Sequence, residues 1–191
     1  TIITGTDALI VVVEAYMDFW DQSLLQEADR YDNLIVLRTA SKALGLAALR
    51  LGFAVANPTL TAVLRAAKSP YNVNGITQAM AAVALRNRLY KDEYRTLLIK
   101  SRDWLIAGLK GLREQGLLDK VYDSCTNFAY VETIYAVEVY EKLKERGILV
   151  RLFGDRHLRI TAGNEAENRE LLDTLDFLLK IAVHRVGGKG K

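Results

Sequence analysis

The chain is poor in cysteine, histidine and proline, and each shortage excludes something. A single cysteine, Cys125, among 191 residues allows no internal disulfide. With only His157 and His184 beside it, a structural zinc site lacks ligands. No apolar run approaches the roughly 20 residues of a membrane span. The N-terminal stretch also lacks the basic start and cleavage region of a signal peptide. A reducing, cytoplasmic setting without membrane attachment is the expectation. Neither sign of charge dominates: 26 Lys and Arg stand against 23 Asp and Glu, and the evenly spread net charge of +3 gives no reason to expect nucleic acid. The chain begins at Thr1 without a methionine and soon enters an apolar segment, so a preceding part is expected.

What is present is the profile of a folded protein with one or two domains, 50% hydrophobic and 26% charged. Short apolar runs at residues 8–13, 34–37 and 51–56 read as strands buried on both faces, under a cover of helices. Helical patterns occupy 23–28, 59–67 after Asn57-Pro58, and 76–89 after Asn74-Gly75. This half, residues 1–90, reads as α/β. From Lys91 to Gln115 apolar residues recur at helical spacing. A strand at 128–131, a helix at 134–146 ended by Gly147, strands at 149–152 and 158–161, and a helix from 165 to about 184 follow. Residues 91–186 therefore read as an α+β domain. Gly187-Gly188-Lys189-Gly190-Lys191 reads as a flexible tail, since no strand leads into it and no helix leads out.

Chemistry concentrates after the second strand, in Thr39-Ala40-Ser41-Lys42 and onward to Arg50. Ligands of open α/β sheets bind at the carboxyl edge of strands, where Lys42 stands. A lysine there can condense with an aldehyde, Ser41 and Thr39 add hydroxyls, and Arg50 adds a planar fork suited to phosphate. The set suggests a phosphorylated aldehyde, although a solvated loop lysine and a surface arginine would show the same spacing. Cys125 reads as a small buried or half-buried residue and His157 as a surface strand residue. Trp20, Trp104 and the apolar stripe of the long helix read as core or interface, and Glu14 and Asp18 as solvated loop acids.

The run Ser41-Lys42-Ala43-Leu44-Gly45-Leu46-Ala47-Ala48-Leu49-Arg50-Leu51-Gly52 resembles the pyridoxal-phosphate lysine motif of class II aminotransferases, most closely the histidinol-phosphate aminotransferases. The resemblance extends to Glu14-Ala15-Tyr16, Pro70-Tyr71-Asn72-Val73-Asn74, Thr126-Asn127-Phe128, Gly147-Ile148-Leu149-Val150-Arg151, Leu158-Arg159-Ile160-Thr161 and Glu167-Asn168, in order over about residues 7–180. It implies an α/β fold: a remnant of the large-domain sheet of pyridoxal-phosphate transferases, followed by a small α+β C-terminal domain. It implies pyridoxal 5'-phosphate as cofactor, with Lys42 as the lysine that holds its aldehyde and later moves a proton. Arg50, Ser41 and Thr39 would hold the phosphate, Tyr16 the ring's phenolic oxygen, and Arg159 the carboxylate of an amino acid substrate. The implied reaction passes an amino group from glutamate to imidazole-acetol phosphate.

Two departures accompany the resemblance. The family has an aspartate three residues before the tyrosine, where this chain has Val13, so the charge that keeps the pyridine nitrogen protonated is missing and slow transamination is expected. Family members are also longer, and the extra part precedes Thr1. A homo-oligomer or a complementing fragment is therefore expected. Two other readings stay open: a non-catalytic excised or engineered subdomain that is structural or self-associating, and decarboxylation of a phosphorylated amino acid.

Overall fold

The computed structural model describes residues 2–187. The chain divides into two compact units, Thr1–Arg95 and Thr96–Lys191, where the sequence pattern places the change near residue 90. The predicted flexible tail falls, apart from Gly187, outside the described residues.

The first unit is built on a three-stranded sheet in the order β1-β2-β3, with β1 (Ile10–Val13), β2 (Leu34–Thr39) and β3 (Gly52–Val55). β1 runs parallel to β2, pairing Ile10 with Leu34 and Val13 with Leu37, and β3 runs antiparallel to β2. Because side chains alternate along a strand, Ile10, Val12, Leu34, Val36 and Val55 share one face, and they pack with Ala28, Leu24 and Tyr31. The opposite face is less covered, with Val11 49% and Val13 68% exposed. The expectation of three strands buried on both faces therefore holds only for the start of β2. Continuous Val/Ile runs specify strand, but what covers each face is not local information.

Helix α1 (Pro58–Ala67) starts where the Asn57 side chain accepts from the Leu60 amide, with Pro58 in the first turn, where its missing N–H costs nothing. Helix α2 (Gly75–Arg86) starts the same way, Asn74 accepting from the Thr77 amide. The helix expected at 23–28 is instead a single 3-10 turn at Leu25–Glu27. Its first residues are drawn off by Glu14, which takes the Ser23 hydroxyl and the Leu24 amide.

Helix α3 (Arg88–Glu114) crosses from one unit to the other in sequence. In the second unit β4 (Lys120–Tyr122), β5 (Phe128–Glu132), β6 (Arg151–Phe153) and β7 (His157–Thr161) form a sheet ordered β4-β5-β7-β6, all neighbours antiparallel. Strand β4 has no counterpart in the sequence reading, because three residues are too few to show a period. Ala129, Val131, Leu158 and Ile160 turn inward onto Leu105 and Leu109 of α3, Leu143 of α4 (Ala136–Glu145), and Leu175 and Leu179 of α5 (Glu165–Gly187). Gly147 ends α4 in the left-handed region (φ 77°), where a side chain would be strained. The bond from the Ile148 amide to the Leu143 carbonyl completes that stop.

Three expectations about single residues are corrected. Cys125 is exposed. Trp20 and Trp104, read as core or interface, are each about half exposed, which removes the core alternative. Glu14, expected to be solvated, is 1% exposed.

Candidate active site

β2 delivers Thr39 at its last position, and the chain then turns through Ser41 and Lys42. The turn is closed by its own backbone: the Gly45 amide donates to the Lys42 carbonyl (2.9 Å) and the Leu46 amide to the Ala40 carbonyl (3.0 Å). Gly45 makes this possible with φ 66°, a conformation few other residues adopt. Leu44, Leu46 and Leu49 anchor the turn on Ala40, Leu51 and Ala81, and the Thr77 hydroxyl of α2 donates to the Leu49 carbonyl. Thr39 Oγ1 accepts from the Ser41 amide (3.1 Å) and donates to the Leu51 carbonyl (3.5 Å). Its hydroxyl thus shapes the turn.

Arg50 also stands in the left-handed region, φ 51°, unusual for a residue with a side chain. Its amide and its Nη1 both donate to the Ala47 carbonyl, at 3.2 and 3.0 Å, which holds the guanidinium back over its own turn. The remaining guanidinium donors, the Ser41 hydroxyl and the Lys42 amine have no hydrogen-bond or ion-pair partner among the described residues. Lys42 and Arg50 are exposed and Ser41 is half-buried.

Tyr16 comes from the turn after β1, and Lys42 Nζ lies 5.4 Å from the centroid of its ring. An amine and a phenol ring therefore meet at the carboxyl ends of β1 and β2, with Ser41 next to the lysine in the chain and Arg50 just before β3, which starts opposite Thr39. Val13, at the last position of β1, places an exposed apolar side chain there.

The residue reading missed Arg38. Its Nη1 donates to Glu14 Oε2 (2.9 Å) and its Nη2 to Asp18 Oδ1 (2.6 Å). Burial pushes the Glu14 carboxyl up, but bonds from the Ser23 hydroxyl, the Leu24 amide and Arg38, with the Arg38 charge, outweigh it and hold it below its ordinary range. Glu14 cannot replace the absent acid at Val13, since it points to the other face of the sheet and is already fully engaged. The only local signal was that Glu14 and Arg38 fall on the same face by alternation; their pairing is not visible in either segment alone.

In the second unit Arg159 stands on β7 between Tyr130 of β5 and Arg151 of β6. Its guanidinium lies over Phe128 (5.1 Å) and Phe153 (5.9 Å). Its Nε is buried with no hydrogen-bond partner, a donor in want of an acceptor. His157 is half-buried on the same strand face, stacked on Tyr130 at 5.2 Å with Nε2 3.8 Å from Glu132. Glu132 also accepts from the Tyr122 hydroxyl, whose phenol is pushed up by burial and by that carboxylate.

The family model for aminotransferase class I and II matches residues 1–175. The chain is 40% identical over 178 residues to the histidinol-phosphate aminotransferase of Clostridium novyi, covering 91% of this chain and 49% of that protein. Among solved structures it resembles the histidinol-phosphate aminotransferase of Clostridium acetobutylicum, with TM-score 0.80, 22% identity, and 90% and 54% of the two chains covered. It also resembles that of Sinorhizobium meliloti in complex with pyridoxal-5'-phosphate, with TM-score 0.78, 25% identity, and 91% and 49% covered. The chain spans about half the length of the curated relatives it matches. Among the described residues no helix is long and apolar enough to cross a membrane, and no group of His, Cys, Asp and Glu could hold a metal ion.

Proposed function

The chain belongs to the class I and II aminotransferase family, and from that membership we propose that it carries part of a pyridoxal-phosphate site for amino transfer between an amino acid and a phosphorylated keto compound, as in its histidinol-phosphate aminotransferase relatives. The observation that carries the reading is the Lys42 amine, 5.4 Å from the centroid of the Tyr16 ring and without a hydrogen-bond or ion-pair partner among the described residues.

The residues fit the phosphate and aldehyde end of the cofactor. Ser41 and Arg50 offer donors to a phosphate dianion, with Thr39 setting the turn, and Lys42 offers an amine to an aldehyde. When bound, pyridoxal phosphate supplies that aldehyde and a ring able to take up electrons from the substrate carbon. Lys42 would first hold the group and then shuttle a proton, and Tyr16 would hydrogen-bond to the ring oxygen. Arg159, with its unsatisfied donor, would orient a substrate carboxylate by a two-pronged contact. The residues do not fit the pyridine-nitrogen end, because Val13 supplies no acid. The chain is accordingly expected to bind the cofactor better than it turns substrate over.

Val13, with Val11 beside it on the open sheet face, also favours a second reading: a non-catalytic module that self-associates or takes up a complementing fragment through that face. Pyridoxal phosphate is added to the purified chain, the product reduced with borohydride, and the modified lysines mapped by mass spectrometry, with Lys42→Ala as control. Label concentrated on Lys42 supports the cofactor site. Label no stronger there than at other lysines leaves the module reading.

A further inference from the structure

Arg38 lies on β2 four positions before Lys42, and its two prongs reach carboxylates on both sides of Tyr16. Nη1 donates to Glu14, two residues before the tyrosine, and Nη2 to Asp18, two residues after it. Glu14 is fixed further by the Ser23 hydroxyl and the Leu24 amide, both at 2.6 Å. The Tyr16 turn itself is closed by short-range bonds, from the Phe19 amide to the Tyr16 carbonyl and from the Trp20 amide to that of Met17. Those bonds shape the turn, and its start is joined to β2 by the Glu14 amide, which donates to the Leu37 carbonyl (2.8 Å).

An arginine with two carboxylates in a mostly buried place is a poor way to gain stability. Desolvation of the three charges offsets most of their attraction, and apolar side chains of similar volume would do about as well. What a planar fork provides instead is geometry, because its donors diverge at fixed angles that a lysine cannot reproduce. Here the fork ties the turn carrying Tyr16 to the strand that presents Lys42.

We propose that Arg38 is a positioning residue: by gripping Glu14 and Asp18 on either side of Tyr16, it holds the phenol ring under the Lys42 amine that its own strand delivers. The proposal deepens the reading of Lys42 and Tyr16 as a cofactor site and rests on it, but the contact concerned exists in the chain alone.

The test is the nuclear Overhauser effect between the Lys42 side chain and the Tyr16 ring, measured without cofactor on chain labelled at lysine and tyrosine. The variants are Arg38→Lys, Asp18→Asn and the conservative Asp18→Glu. Arg38→Lys keeps the charge but lacks the planar fork whose two prongs reach Glu14 and Asp18, and Asp18→Asn leaves the buried Glu14 pair in place should the arginine change prevent folding. The expected result is a fall of at least fivefold in the Lys42–Tyr16 signal for Arg38→Lys and Asp18→Asn, with β1–β2 cross-strand signals unchanged. Asp18→Glu should retain at least half of the signal. An undiminished signal in the folded variants overturns the proposal. So does a loss shared with the β1–β2 signals, which would make Arg38 a part of the fold only. Failure of the cofactor reading would show separately, as indifferent borohydride labelling in the parent chain.

Discussion

Val13 and Glu14 are chain neighbours with opposite surroundings: Val13 is 68% exposed, whereas Glu14 is 1% exposed and bonded to Ser23, Leu24 and Arg38. One step along the backbone reverses the side-chain direction, so an acid at one position cannot serve for the other.

Replacing Val13 by Asp should therefore restore a carboxylate at the open end of β1. We expect unfolding free energy to change by less than about 0.5 kcal/mol, as at other exposed positions. Turnover of glutamate in the presence of pyridoxal phosphate and a phosphorylated keto acceptor such as imidazole-acetol phosphate should rise by orders of magnitude, measured as formation of 2-oxoglutarate. No gain would remove Val13 as a barrier to transfer.

Glu14 makes stability depend on acid. Its carboxyl in the folded chain titrates below the ordinary value of 4.5, so the folded state binds fewer protons than the unfolded one across that window. The contribution is complete above the unfolded value and is lost as pH falls through the folded one. Urea midpoints should thus decline as pH drops past 4.5. In Glu14→Gln this part of the decline should vanish, and stability near neutral pH should fall by about 2 to 3 kcal/mol, because an amide turns a donor toward Arg38 or Ser23.

Arg159→Lys separates recognition from folding. The lysine keeps the charge but not the fork, and kcat/KM for an amino acid substrate should fall about 10- to 100-fold in a preparation with measurable turnover. The thermal midpoint should stay the same or rise slightly, because the buried Nε that lacks an acceptor is removed. A fall in stability with unchanged kcat/KM would make Arg159 a structural residue.

Asn168 tests the second unit by itself. Its Oδ1 accepts from the Gly163 amide (2.9 Å) and its Nδ2 donates to Ser101 Oγ (2.8 Å), linking the start of α5 to α3 while the side chain is buried. Asn168→Ala leaves that amide without a partner and should cost about 2 kcal/mol in chemical denaturation. Asn164→Ala at the exposed N-cap should cost less, about 1 kcal/mol.

The elements legible in the sequence were those with a local cause. Asn57-Pro58 and Asn74-Gly75 marked two helix starts, the leucine spacing marked α3, and Gly147 marked the end of α4. Lys42 could be singled out because a strand precedes it, and the surrounding motif placed the chain in its family. The Leu25–Glu27 turn was misread as a longer helix because a distant carboxylate captures its first hydrogen-bond donors.

By itself the sequence determined most of the helices and strands, the family, and the absence of an acid at Val13, all properties of segments or of single positions. The tertiary structure decided which sheet face is covered, that Glu14 is buried, and that Tyr16 lies under Lys42. It also joined Arg38 to Glu14 across 24 residues. These are pairings between segments, and they form only when the sheet register brings side chains of distant strands onto one face, which no local period records.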